Sequence, residues 1–350
     1  MSRANRFMDA CFGRPVDRTP VWLMRQAGRY QASYRQLRRR TSFFELCKTP
    51  ELASRVTVEA VEQLGVDAAI IFSDILVALE AMGAPVELTE AGPRVPQPVR
   101  DAAAVQRLVV PDPVEATPYL LDAIRVTRGA LAGSVPLIGF AGAPLTLASY
   151  LVEGGGSKSF ARLKGLLFGE PALAHELLDR LARTVSALLS AQIEAGCDAV
   201  QLFDSWAGIL GPEDYRALAL PHVQRIFEDL RPAGVPRLLF GTCTATLLEA
   251  FRDSGAEVIG VDWRVPMAEA RARLGPRVTL QGNLDPGCLF VDDDQALARR
   301  VRAIVDGARG GGHVFNLGHG VLPNTDEARA RRLVELVHAA GTPDTGPDHG

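Results

Sequence analysis

The sequence predicts an α/β chain: a (β/α)8 TIM-type barrel in a single domain with a small β-hairpin insertion after strand two. Three observations carry this. Short apolar runs and amphipathic helical patterns alternate eight times. The runs are continuously apolar, as parallel strands covered on both faces must be. Polar residues that are hard to explain as surface gather just after those runs, where all strand ends of a barrel open on one mouth. A doubly wound open sheet is the alternative, but it favours a GxGxxG after the first strand, and none is there.

Strand one, at 21–24 (Val-Trp-Leu-Met), runs straight into Arg25 and Arg29. Strand two, at 68–72, ends on Ser73-Asp74, and a helical pattern at about 50–64 separates the two. The Pro- and Gly-rich stretch 84–99 alternates like a hairpin and reads as the insertion. After a helix at 114–131, strand three at 136–140 opens into the Gly-rich stretch 139–156. The long helical pattern 159–195 breaks near Gly169 and Pro171. Strand four, at 199–203, ends on Asp204-Ser205-Trp206. Strands at 237–240, 257–260, 277–281 and 313–316 complete the count, with helices at about 213–230, 244–253, 266–274, 293–308 and 325–340. Asp262, Asn283, Asp285, Asn316 and His319 follow the last three of those strands. Residues 1–340 are expected to form the barrel and 341–350 a disordered tail.

Composition narrows the function. A net charge of −3, with 47% hydrophobic and 23% charged residues, is that of a soluble globular chain and argues against nucleic acid or an anionic membrane as main partner. The most apolar window, about 68–85, is interrupted by Ser73, Asp74 and Glu80, so no membrane span is expected. Residues 1–13 lack the apolar core of a signal peptide. Five scattered cysteines (11, 47, 197, 243 and 288) without a CxxC suit reduced thiols in the cytoplasm. Only Lys48, Lys158 and Lys164 are available for a Schiff base. There is no GxSxG, P-loop or HExxH, and Gly154-Gly-Gly-Ser-Lys158 lacks phosphate-loop spacing.

The paired arginines are the most informative feature. Two adjacent guanidiniums repel, and a polyanion is the usual reason for keeping them together, because the planar fork matches carboxylate oxygens two at a time. Each candidate also has a plainer reading. Asp74 fits a helix cap, although a carboxylate between Phe72 and Ile75 must find donors. Ser205 fits a helix N-cap, and Tyr150 fits a core residue. His319, between Gly318 and Gly320, sits on backbone that lets a ligand approach closely. His175, His222, His338 and His349 read as helix surface or tail, and His313 as a strand entrance.

Six blocks together resemble the uroporphyrinogen decarboxylase family, in order and at family spacing from about residue 3 to 340. They are Met24-Arg-Gln-Ala-Gly-Arg-Tyr30, Phe72-Ser-Asp-Ile-Leu76, Gly139-Phe-Ala-Gly-Ala-Pro-Leu-Thr-Leu-Ala-Ser-Tyr150 with Glu153-Gly-Gly-Gly-Ser157, Gln201-Leu-Phe-Asp-Ser-Trp206, Gln281-Gly-Asn-Leu-Asp-Pro286 and Phe315-Asn-Leu-Gly-His-Gly320. The resemblance implies a homodimeric barrel that removes four acetate carboxyls from uroporphyrinogen III, giving coproporphyrinogen III, with no metal and no organic cofactor. By position it implies substrate contacts at Arg25, Gln26, Ala27, Gly28, Arg29, Phe44, Asp74, Tyr150, Ser205 and His319. Of these, Asp74, Arg25, Tyr150 and His319 are the catalytic candidates. Ala32 and the Gly241-Thr-Cys-Thr244 loop depart from the family pattern.

The chemistry agrees with that assignment. An octacarboxylate suits paired arginines, and four converging pyrrole N–H groups suit one carboxylate acceptor. A pyrrole protonated at its α-carbon is its own electron sink, which takes the place of a cofactor. The proton donor stays open between Arg25, Tyr150 and His319: the resemblance favours Arg25, while histidine titrates nearer neutrality. Two rivals share the barrel. A cobalamin-dependent methyltransferase would hold zinc through His-x-Cys and a distant Cys, but the residue two before Cys243 is Gly241 and no cysteine follows strand eight. A non-catalytic tetrapyrrole-binding protein would not be expected to keep both Asp74 and the arginine pair.

Overall fold

The computed structural model describes residues 1–89 and 92–341, so the expected tail lies outside the described residues beyond Gly341. The chain contributes β1 (Ala69–Ile70), β2 (Glu87–Thr89), β3 (Gly92–Arg94), β4 (Leu137–Gly142), β5 (Ala199–Asp204), β6 (Arg237–Gly241), β7 (Val258–Gly260), β8 (Thr279–Gln281) and β9 (His313–Val314). Seven of them form one parallel sheet in the order β1-β4-β5-β6-β7-β8-β9, each beside its successor. β2 and β3 pair antiparallel, with Leu88 opposite Pro93.

Helices cross between the parallel strands, as such connections require. Pro50–Leu64 starts with proline in its first turn and stops at Gly65, whose φ of 74° ends the helix in a left-handed cap. The long helical pattern breaks at Glu170, giving Ala161–Gly169 and Pro171–Ala195. The second of these docks on β4 through Gln192, which accepts from Phe140 N–H at 2.8 Å and donates to its carbonyl at 3.0 Å. A Cβ at Gly139 would lie 2.5 Å from Gln192 Oε1, so the strand needs glycine there.

The expected strand at 21–24 is not part of the sheet, and this is a correction. Only Val21 makes a parallel bridge, to Phe315. Pro20 has no N–H to give, although its carbonyl accepts from Phe315 N–H at 2.8 Å. Side chains take most of the amides a neighbouring strand would have used. Val21 N–H donates to Asp67 Oδ2 at 3.0 Å, Leu23 N–H to Gln26 Oε1 at 3.1 Å and Met24 N–H to Asn316 Oδ1 at 2.9 Å. On the other flank, Asp67 N–H donates to the Val21 carbonyl at 2.7 Å. The segment therefore bridges β9 and β1 without a regular ladder.

Asp67 also pairs with Arg6 at 3.0 Å and His338 at 2.7 Å. Burial works against its charge, but the His338 contact, the Val21 amide and Arg18 together hold its carboxyl below the ordinary range. His338 is thus no surface histidine. Nor is His222, which is buried with Nε2 3.0 Å from His175 Nδ1. Amphipathic spacing shows which face of a helix is polar, but not that a second helix covers its edge. His349 lies outside the described residues.

Candidate active site

The C-terminal ends of the parallel strands surround a cavity of about 500 Å³. Phe140, Phe203 and Phe240, on three adjacent strands, form an apolar wall with Ile71 and Phe72. Arg25, Arg29, Asp74, Ser205, Thr242 and His319 bring polar groups to the same space. Tyr34 and Phe43 close one side, and Phe43 stands edge-on to Phe72 with ring centroids 5.9 Å apart.

Arg25 adopts φ +60°, a conformation that non-glycine residues rarely hold without a local reason. Its loop supplies the reason. Gln26 is buried, with Oε1 accepting from Leu23 N–H and Nε2 donating to the Ala68 carbonyl at 3.2 Å. Tyr30 Oη donates to the Gln26 carbonyl at 2.7 Å, and Gly28 N–H donates to Gln31 Oε1 at 3.1 Å. Both ends of the Gln26 amide are therefore engaged within the protein, while Arg25, Ala27, Gly28 and Arg29 line the cavity. Arg25 is exposed to the cleft it lines. Burial and the neighbouring Arg29 lower its pKa, opposed by Tyr150 and Asp74.

Asp74 faces it from the end of β1. Oδ1 accepts from Leu76 N–H at 2.8 Å, so the capping reading is half right; no protein hydrogen bond reaches Oδ2 among the described residues. Burial raises the Asp74 pKa with a contribution from Glu80, against the Leu76 amide and Arg25. His319 is shifted the other way, below its ordinary 6.5, by burial and the charge of Arg25. It is neutral at physiological pH. Burial likewise raises Tyr150, whose ring stacks edge-on to Trp206 at 6.5 Å.

The glycines around His319 serve the protein itself. A Cβ at Gly320 would lie 2.4 Å from Arg25 Cδ, and one at Gly318 would lie 2.2 Å from Trp263 N. The close approach they permit is that of the arginine stem and of the Trp263 backbone.

Of the residues expected at the site, Arg25, Gln26, Ala27, Gly28, Arg29, Asp74, Ser205 and His319 all line the cavity. Tyr150 and Phe44 are not among the lining residues. Phe43 occupies the wall instead, while Phe44 lies 5.4 Å under the Lys48 ammonium. The other strand-end polar residues brace the mouth. Buried Asp204 accepts from Thr146 Oγ1 at 2.8 Å and Tyr215 Oη at 3.0 Å, and Thr146 Oγ1 accepts from Trp206 N–H at 3.1 Å. Asp262 joins the loops after β6 and β7 by accepting from the amides of Cys243 at 2.6 Å and Arg264 at 2.9 Å. Asn283 Nδ2 donates to the carbonyls of Asp262 at 3.1 Å and Val265 at 2.6 Å. Asp285 caps its own turn through Gly287 N–H. Sequence reasoning missed Phe43, Thr242, Thr146 and Tyr215. Only their neighbourhood to Phe44, to strand five and to Asp204 could have signalled them.

The family model of uroporphyrinogen decarboxylase matches residues 2–340. A uroporphyrinogen decarboxylase of Myxococcus xanthus is 52% identical over 337 residues, 96% of this chain and 97% of that protein. One from Sorangium cellulosum is 51% identical over 338 residues, covering 96% of each chain. Among solved structures, a methyltransferase from Methanosarcina mazei superposes with a TM-score of 0.77 over 96% of this chain and 98% of its own. At 22% identity that likeness concerns the fold alone. Whole-length identity at this level to proteins of one name, with the family's motifs meeting at one cavity, places the chain in the uroporphyrinogen decarboxylase family.

Proposed function

We propose that the chain removes the four acetate carboxyls of uroporphyrinogen III as CO2, giving coproporphyrinogen III, with the tetrapyrrole supplying its own electron sink. One observation carries this reading: Asp74, a carboxylate with one oxygen unbonded, stands in an apolar cavity faced by two arginines. A macrocycle with four inward N–H donors and eight peripheral carboxylates complements that arrangement. Asp74 accepts the pyrrole N–H bonds and stabilises positive charge on the ring. In each step the ring gains a proton at its α-carbon, and the bond from the acetate CH2 to its carboxylate breaks. The electron pair passes into the ring, the exocyclic carbon takes up a proton to become a methyl group, and the α-carbon gives its proton back, so that each acetate with one proton ends as a methyl group and CO2.

Arg25 is the group we assign to protonation. It is directed at the cavity, and burial with Arg29 beside it makes it a stronger acid than a free guanidinium. His319, neutral and next to Arg25, serves as a hydrogen-bonding residue rather than as an imidazolium acid. Arg29 clamps carboxylates.

We further read residues 1–340 as one barrel of the (β/α)8 type, with the irregular segment 21–24 closing it between β9 and β1 in place of a strand, and the β2–β3 pair as an insertion. The bridge from Val21 to Phe315 and the bond from Asp67 N–H to the Val21 carbonyl support closure. A homodimer rests on the family resemblance, and a cytoplasmic setting on five unpaired cysteines. The deciding test supplies enzymatically made uroporphyrinogen III under reducing conditions and measures CO2 and coproporphyrinogen. Release of both is expected. A methylated product, or tight binding without turnover, overturns the reading.

A further inference from the structure

We infer that Arg39 and Arg40, on the rim beside the cavity, form an electrostatic guide that captures the polyanionic substrate before it reaches the site. This inference rests on the proposed substrate class. Residues 25–44 hold six arginines (25, 29, 35, 38, 39 and 40) and no acidic residue, in a chain whose net charge is −3. Charge of one sign is thus concentrated at one place on a mildly acidic molecule, and that place is the mouth, because Arg25, Arg29, Tyr34 and Phe43 from this stretch all line the cavity.

The six divide by what holds them. Arg35 Nη1 donates to the Arg29 carbonyl at 3.0 Å, pinning the loop. Arg38 donates to the Thr41 carbonyl and lies 5.9 Å over the Phe43 ring. Arg39 and Arg40 are exposed, with no side-chain hydrogen bond and no ion pair among the described residues. The acids nearest in the chain and by contact are occupied with backbone: Glu45 accepts from Ser42 N–H at 3.2 Å, and Glu327 from Ala32 N–H at 3.2 Å. Guanidiniums crowded in and beside one mouth repel one another, a cost that attraction of an eightfold carboxylate offsets. Exposed charges act over about 8 Å at physiological salt, so Arg39 and Arg40 reach incoming anions without touching the bound one.

The test compares wild type, Arg39→Gln/Arg40→Gln and a control of equal charge loss, Arg299→Gln/Arg300→Gln, on the helix Asp294–Gly307. Stopped-flow fluorescence follows association of uroporphyrin III, the oxidised and unreactive octacarboxylate, over a salt series, with turnover of uroporphyrinogen measured in parallel. At low salt the rim variant should associate about tenfold more slowly, within the range of electrostatic steering. That difference should vanish near 1 M salt, where charges act over about 3 Å. kcat should stay within twofold, and the control should behave as wild type. Equal association rates at all salt concentrations, an equal loss in the control, or a loss confined to kcat would overturn the guide. Normal association by a wild type that releases no CO2 would overturn the decarboxylase reading and leave the guide standing.

Discussion

At the scale of single residues, one pair of charges organises the site. Asp74 is kept short of donors and Arg25 is held beside Arg29 without an ion pair among the described residues, so each awaits a partner that supplies the opposite interaction. Asp74→Asn should lose at least 10²-fold in turnover, on the order of 3 kcal/mol, with an unchanged circular dichroism spectrum. Near-normal CO2 release from that variant would remove the central acceptor from the mechanism. His319 makes the second prediction. Its pKa lies below 6.5 because burial and Arg25 disfavour the cation, so the imidazole is mainly neutral between pH 6.5 and 8. His319→Asn should raise KM while leaving the shape of the pH–rate profile over that window unchanged. A wild-type limb near pH 6.5 that disappears in the variant would instead make the imidazolium the acid.

Elements set these residues by contacts that reach between loops. The loop after β9 touches Arg25 through Gly320, where an added methyl would overlap the arginine stem. Gly320→Ala should therefore lower kcat at least tenfold with little loss of stability, because the stem must move while the barrel need not. Wild-type turnover in this variant would show that the position of Arg25 is unimportant. The end of β5 is held by Asp204, whose carboxyl burial raises to about 6 even though Thr146 and Tyr215 donate to it. A raised folded pKa means a contribution to stability that is present at low pH and is lost as the pH climbs through 6. Between pH 5 and 7 wild type should lose about 1 kcal/mol relative to Asp204→Asn, read from urea midpoints. A difference that stays constant over that range would show that the Asp204 carboxyl does not titrate there.

For the molecule as a whole, the parallel sheet turns every loop after a strand toward one mouth, and the asymmetry of charge follows from that. Basic groups gather there on a chain that is acidic overall. Among the described residues no three of His, Cys, Asp and Glu converge to hold a metal ion, and the Cys243 amide donates to the Asp262 carboxylate. Decarboxylation should accordingly survive exhaustive dialysis against a chelator. Activity that vanished with EDTA and returned with zinc would turn the reading toward the methyltransferase rival that the sequence set aside for want of a zinc-binding His-x-Cys.

The alternation of apolar runs and helices, the one-sided clustering of polar residues and the arginine pair are all local patterns, and the sequence by itself determined them. So too were the candidates Arg25, Arg29, Asp74, Ser205 and His319, because each sits directly after a run whose direction the α/β pattern dictates. What needed the tertiary structure was partnership between distant positions. Spacing cannot show that Asp67 and Asn316 take the amides of 21–24 in place of a ladder. Nor can it show that Phe43 faces the cavity while its neighbour Phe44 turns to Lys48, since successive residues of a short helix point about 100° apart. The glycines beside His319 make the same point. The sequence showed that something must come close, and only packing decided that it is Arg25 and Trp263, because close approach is a property of two surfaces and a sequence describes one at a time.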